Sequence, residues 1–249
     1  MSELNIPTRE ALKKADPDRF RAALMSDTQG RLDLLILYAF HYELSKVPDV
    51  TSEPMLGQIR YEWWREAIDE IYSDKEVRRH EISTPLSEML RRTEVPRFWV
   101  DRLIDGRARD LDPQPFADID AAKDYARQTS GQLIQIAVKV LGGTPDEKTR
   151  HAGEAWGLTG LSRSYRFYHD KMLSNLEFDA ILNAANDAYQ KASGRYETSI
   201  YAALGYITLV PRFLRRMQEP SFDPKSDALS YGPLAKQFRQ MRMGIIGKI

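Results

Sequence analysis

Residues 54–72, PMLGQIRYEWWREAIDEIY, decide the fold class. Met55, Ile59, Trp63, Ala67 and Ile71 recur every fourth residue, and Leu56, Trp64, Ile68 and Tyr72 widen the stripe. Arg60, Glu62, Arg65, Glu66 and Asp69 take the other side. That pattern is a helix with one face turned to a core. The Trp63–Trp64 pair invites a ligand-platform reading, but at this spacing core packing accounts for both rings.

The same period extends outward over most of the chain. It predicts helices over 17–25, 29–46, 54–73, 85–93, 97–110, 120–141, 145–168, 176–192, 195–218 and 231–247, with no strand. Helix starts are marked by Asp16-Pro17 and Thr84-Pro85, each a cap followed by proline at the first helical position, and by TPDE, with Thr144 as cap and Glu147 three residues on. Gly142, Gly143 and Gly194 are placed to close helices with positive φ. Pro211 should kink or divide the helix over 195–218. Residues 219–233 read as a loop. Without a linker or repeat to split it, the chain reads as one all-α domain over 1–249. In the helix over 120–141, Ala126, Ser130 and Gly131 leave room for either a second helix or a ligand to approach closely.

Composition excludes several classes. The 36 basic residues balance 36 acidic ones, so no net field draws the molecule to nucleic acid, and no nucleic-acid partner is expected. With no cysteine there is no disulfide framework, thiolate nucleophile or cysteine zinc site, which fits a cytoplasmic setting. MSELNIPTREALKKADPDRF lacks the apolar core of a secretory signal, and Glu3, Glu10 and Asp16 argue against a transit peptide. The longest apolar run, LDLLILYAF (32–40), is well short of the roughly 18 residues a membrane span needs.

No phosphate-binding glycine loop, GxSxG elbow or HExxH motif is present. Glu147, His151 and Glu154 share one helical face and have the spacing of three metal ligands. A solvated polar face explains them better, because no second such set stands on another helix.

Seven stretches in order carry a resemblance: LYAFHYEL (37–44), SEPMLGQIRYEWWREAI (52–68), LIDGRARDLD (103–112), DYARQTSGQLIQIAVKVLG (124–142), GEAWGLTGLSRSY (153–165), LVPRFLRRM (209–217) and PLAKQFRQMRMGIIGKI (233–249). Together they resemble the squalene/phytoene synthases, and within them a divergent branch that includes an assembly factor of respiratory complex I. The resemblance implies an all-α, isoprenoid (terpenoid) synthase-type helical bundle around a central cavity. Active members of that family join two prenyl diphosphates head to head. Ionising an allylic diphosphate takes Mg²⁺, a hard ion that needs carboxylate oxygens, and the family supplies them from two aspartate-rich motifs on facing helices.

Laid on this chain, the first motif puts Ser45, Lys46 and Asp49 at the acidic positions, so one acid of three remains. The Lys46 ammonium would repel the metal and compete for the diphosphate. At the second motif Arg163 matches the preceding arginine, but Ser164 and Tyr168 stand where aspartates should, and DKMLSN (170–175) replaces the Gly-Arg-x-Tyr-Leu-Pro stretch that follows. The tyrosine that active members carry before the Gly131 position falls on Arg127 or Gln128, and Tyr125 matches a less decisive position. Tyr38, Tyr125 and Gly131 are the candidates to line the cavity. Glu43, Asp110, Asp112 and Asp170 are the candidate substitute acids, and none recreates paired acids on two helices.

The resemblance therefore implies a family member with degenerate motifs, acting as a binding or assembly factor with a protein partner, a prenyl or lipid-like ligand, or both. No cofactor is expected in that role. The alternative is an active Mg²⁺-dependent farnesyl or geranylgeranyl diphosphate transferase, and a metal-free diphosphate carrier is a third. Arg212, Arg215 and Arg216 around Phe213 and Leu214 offer a peripheral membrane contact, though an ordinary amphipathic helix explains the same residues.

Overall fold

The computed structural model describes residues 4–73, 75–227, 229, 240, 243 and 247–249. The helix expected over 231–247 lies almost wholly outside them. Contacts group the chain into two compact units, one of Met1–Asp112, Ile136–Thr144 and Ser199–Ala203, the other of Pro113–Gln135, Pro145–Thr198 and Leu204–Ile249.

In the first unit the chain runs through α1 (Ile6–Ala15), α2 (Pro17–Ala23), α3 (Thr28–Ser45), α4 (Val47–Val50), α5 (Pro54–Tyr72), α6 (Ser83–Thr93) and α7 (Arg97–Ala108). The periodicity did not predict α1, which has few apolar residues. Its start is local chemistry: the Asn5 side chain accepts from the Thr8 amide, Pro7 sits in the first turn, and Leu12 is fully buried. Asp16 caps α2 as expected, accepting from the Arg19 amide. Asp27 caps α3, the central helix of this unit, in which every residue from Leu34 to Phe40 is buried.

The α5 stripe needs correction. Met55, Leu56 and Ile59 are 71 %, 46 % and 61 % exposed, and the buried line runs through Gly57, Tyr61, Trp64, Ala67, Ile68 and Ile71. Two residues turn the first half of α5 this way. Gly57 lies against the Leu111 side chain so closely that a Cβ would come within 2.2 Å of it. The Tyr61 hydroxyl is buried within 2.8 Å of both the Leu44 and Arg107 carbonyls. The second half follows the expected face. Thr84 is also not a cap: α6 begins at Ser83, and the Ser83 hydroxyl donates to the Arg78 carbonyl instead. Arg92 ties α6 to α3 through Asp33 at 2.6 Å.

After α7 the chain continues in α8 (Ile119–Ala126), a π-helical turn, Arg127–Gly131, and α9 (Gln132–Val140), whose residues from Ile136 on belong to the first unit. Then come α10 (Glu147–Arg163), α11 (Tyr165–Tyr168), α12 (Phe178–Ala192) and α14 (Val210–Met217) of the second unit, with α13 (Tyr201–Leu204) contributing Tyr201–Ala203 to the first. The cap of α10 is Asp146 rather than Thr144. Its carboxylate accepts from the Thr149 amide at 2.8 Å, while the Thr149 hydroxyl lies 2.9 Å from the Asp146 amide, a reciprocal pair placed two residues later than the expected one. Gly142 and Gly194 have φ of 77° and 138°, as helix-ending glycines should. Gly143 does not share that conformation; its Cα faces Ile200, where a Cβ would fall 2.4 Å from a methyl.

α10 packs along α12 and against the π turn. Gly153 and Gly157 make the second contact possible: a Cβ on Gly153 would lie 2.4 Å from the Gly131 Cα and 2.6 Å from the Ser130 carbonyl, and one on Gly157 would lie 2.8 Å from the Ala126 Cβ. The expected helix over 195–218 is divided into short 3₁₀ and α pieces, with Pro211 in the first turn of α14. Among the described residues the one strand-like pairing outside helices is an isolated bridge between Arg195 and Lys248.

Candidate functional site

The first motif lies where α3 ends. Ser45 is the last residue of α3, Lys46 stands between helices with φ −83° and ψ −10°, and Asp49 falls in the four-residue α4. Pro48, without an amide hydrogen, accounts for the interruption. Two of the three side chains are engaged elsewhere, and the third stands alone as an acid. The Ser45 hydroxyl donates to the Tyr42 carbonyl at 3.1 Å. The Lys46 ammonium pairs with Glu43 and lies over the Tyr42 ring, 5.4 Å from its centre. Asp49 is exposed. Tyr38, one α3 turn and more away, is almost fully buried in the helix's apolar run.

The second motif is interrupted in the same way. Arg163 ends α10, Ser164 breaks the helix with φ −98° and ψ 5°, and Tyr168 closes α11. Arg163 lies over the Phe213 ring at 4.3 Å, held by α14. The loop after α11 is clipped back onto the chain: the Phe116 amide donates to the Met172 carbonyl and Asn175 donates to the Phe116 carbonyl. Met172, Leu173 and Leu176 are buried there, so this segment fills apolar space. In both motifs, then, the two positions that would carry acids one turn apart on a single helix fall on opposite sides of a helix break. Ser45, Lys46, Asp49 and Tyr38 belong to the first unit, and Arg163, Ser164, Tyr168, Tyr125 and Gly131 to the second. Tyr125 packs its ring 5.5 Å from Phe116, and Gly131 lies under Gly153.

Three of the four substitute acids have basic neighbours. Glu43 holds Lys46, Asp110 takes Arg107 at 3.2 Å, and Asp170 lies 3.4 Å from His169. Among the described residues no three His, Asp or Glu side chains are grouped to hold a metal ion. The residues at the family's motif positions do not fit Mg²⁺: a cation and neutral hydroxyls stand at every position but Asp49, and one carboxylate does not make the paired oxygen ligands the ion requires.

Two buried polar clusters escaped the sequence reading. His41, on α3, lies 2.9 Å from an Arg107 guanidinium nitrogen. Burial first, then the charges of Arg107 and Arg19, hold its pKa well below the ordinary value, so it is neutral and accepts from Arg107. The signal was an imidazole inside the apolar run of α3. Glu154 corrects the expectation of a solvated face on α10. Its carboxylate is buried and takes Arg127 through two bonds, at 2.9 and 3.2 Å, with His151 Nδ1 at 3.2 Å. The reason is that α10 is covered by α12 and by the π turn, which brings Arg127 to it. Glu147 remains outside, paired with Arg150 at 2.8 Å.

The first unit also contains an open cavity of about 180 Å³ lined by Glu43, Val47, Arg60, Trp63, Trp64 and His80. The two indoles stand edge to face at 4.9 Å, and His80 packs edge-on against both.

These helices, their order and the two interrupted motifs define a protein of the isoprenoid-synthase fold. A dehydrosqualene synthase solved with a ligand superposes with a TM-score of 0.73 over 94 % of each chain at 13 % identity. The squalene synthase of Alicyclobacillus acidocaldarius superposes at 0.59 over 96 % of this chain and 92 % of that one, at 11 % identity. The Squalene/phytoene synthase family model matches residues 12–171, and the chain belongs to that family. Among curated proteins, the bovine NADH dehydrogenase (ubiquinone) complex I assembly factor 6 (Bos taurus) is 27 % identical over 173 residues, and the human protein of that name is 25 % identical over the same length. In each case the match covers 68 % of this chain and 52 % of the relative, so the chain spans about half the length of the curated relatives it matches.

Proposed function

We propose that this chain is a non-catalytic member of its prenyltransferase-like family and works by binding, as an assembly factor acting on respiratory complex I or its subunits. One observation carries the reading: of the motif positions that should present paired carboxylates only Asp49 is an acid, the others being Ser45, Lys46, Ser164 and Tyr168, and the neighbouring acid Glu43 is held by the intruding Lys46. Function belongs to the site rather than the fold, and this site lacks the anions that the chemistry requires. The names of the curated relatives support the assembly role, and the two synthases that share the fold support a prenyl or lipid-like ligand. No cofactor is needed for either. No helix among the described residues is long and apolar enough to cross a membrane. The cytoplasm is the setting this reading takes; the membrane contact expected on α14 is narrowed to exposed Arg215, because Phe213 and Leu214 are buried and Arg216 pairs with Glu219.

The test is diphosphate release and hexane-extractable product from farnesyl or geranylgeranyl diphosphate, with Mg²⁺ or Mn²⁺ and with or without NADPH, beside an active family member. No turnover in any condition is expected. Product in any condition would overturn the proposal and establish the prenyltransferase alternative.

A further inference from the structure

We propose that the cavity between α3–α4 and α5 is a docking site for a helical segment of a partner protein that presents one bulky apolar side chain and, about one turn away, a carboxylate. The cavity holds about 180 Å³, which suits a single anchoring side chain, and its walls are Val47 and the edge-to-face rings of Trp63, Trp64 and His80. The apolar lining continues outward along α5. Met55 and Ile59 precede Trp63 at four-residue steps on one helical face, and both are exposed, as is Val50 on α4. These are the residues that the helical period assigns to a core, and in this fold no core covers them. A single exposed apolar residue would mean nothing, but a line of them ending in an aromatic cavity is the form a helix-in-groove partner recognises.

Charge selects the occupant. The cations along α5 and beside it are paired: Arg65 with Glu62 and Asp105, Arg78 with Glu66 and Glu70. Arg60, which lines the cavity, is exposed and has no ion pair among the described residues. Glu43, the acid in the lining, is taken by Lys46. His80 Nδ1 accepts from the Ile82 amide, which leaves the ring N–H on Nε2 as a further donor. The free polar capacity of the lining is therefore cationic and donating, and it suits a carboxylate on the incoming segment. A lipid chain would gain nothing from Arg60 unless its headgroup were anionic, and a second copy of this chain would have to bring an unpaired acid to meet it.

The inference rests on the binding role proposed above, and its failure is separable from that of the role. The experiment places the photo-crosslinking amino acid p-benzoylphenylalanine at Ile59 of the full chain, in cells that make the protein, with the same residue at exposed Phe98 as control. Adducts are mapped by mass spectrometry. The expected result is an Ile59 adduct, absent at position 98, to a protein segment carrying an apolar residue with an acid within a turn. Arg60→Glu should reduce it about tenfold, and Arg60→Lys should retain most of it. Because Arg60 is exposed and has no ion pair among the described residues, unchanged thermal melting of both variants separates lost docking from lost folding. An adduct to lipid or to a second copy, an adduct indifferent to Arg60→Glu, or none above the control would each overturn the docking site. Prenyl diphosphate turnover would overturn the non-catalytic role and leave the crosslink result standing.

Discussion

Glu154 and His41 show how single residues carry the polar interior. Glu154 is a buried carboxylate held by the forked Arg127 guanidinium, and Arg127 is partly exposed, so water softens its loss. Glu154→Ala leaves that cation without its main partner beside a packed helix, and should lower stability by about 2 kcal/mol, below the range for fully buried pairs. A urea midpoint unchanged from the parent would count against the pair. His41 acts through protons. Its folded pKa lies well below that of the unfolded chain, so the folded form refuses a proton that the unfolded form takes up. The stability this neutral state confers is complete above the unfolded pKa of roughly 6.5 and declines as pH falls below it, by at most about 1.4 kcal/mol per pH unit. His41→Gln keeps an acceptor for Arg107 and cannot protonate. Its stability curve below pH 6.5 should be shallower than the parent's by up to one proton, and parallel curves would refute the assignment. Neither residue could be placed from sequence. Burial of Glu154 depends on the π turn delivering Arg127, and a histidine in an apolar run does not name its partner.

At the scale of elements, glycine in α10 separates packing from propensity. Gly153 lies against the Gly131 backbone, where an added methyl would meet Cα at 2.4 Å with no flexible side chain to yield, whereas Gly160 has nothing within 4 Å of its added Cβ. Gly153→Ala should therefore destabilise by about 1–3 kcal/mol, the usual cost of forcing a group into a packed contact. Gly160→Ala, inside the same helix, should stabilise by about 0.5–1 kcal/mol because alanine restricts the unfolded chain and prefers the helix. Thermal melts of the two variants should move in opposite directions, and equal shifts would deny the close approach of α10 to the π turn. The elements themselves were largely legible. α5, α7 and α12 stand where the apolar period puts them, α2 also starts at the Asp16-Pro17 signal, and Pro211 divides its segment as proline must. What the period could not show is which way α5 faces over its first two turns, since a stripe of Met55, Leu56 and Ile59 reads the same whether the fold covers it or a partner does. α1 was missed for the converse reason: it is mostly exposed, and its cap, Asn5 with Pro7, had no apolar repeat behind it.

For the whole molecule, the motif order from 37 to 217 made the fold readable, while the domain boundary depends on contacts that sequence does not display. The first unit is not a continuous piece of chain. It takes Ile136–Thr144 and Ser199–Ala203 from far downstream, and Ile136, Ala137, Val138 and Val140 are all buried. Gly30, at the start of α3, packs against the Leu141 side chain, and Ile200 packs against Gly143. A fragment ending at Asp112 therefore loses apolar cover over the helix on which the rest of the unit is built. Burying a single Leu- or Ile-sized side chain is worth about 1.5–3 kcal/mol, so several such losses are comparable with the whole 5–15 kcal/mol margin of an ordinary domain. Residues 1–112 expressed alone should show no cooperative thermal transition by circular dichroism, whereas residues 1–227 should melt cooperatively. A sharp melt for the short fragment would make the first unit an autonomous domain and refute the one-domain reading. Ser45, Lys46, Ser164 and Tyr168 stand at helix breaks or in the short helices beside them, outside the buried segments that hold either unit together. Replacing the four with acids should therefore leave the cooperative melt of the chain in place, and a lost transition would show that these positions also hold the fold.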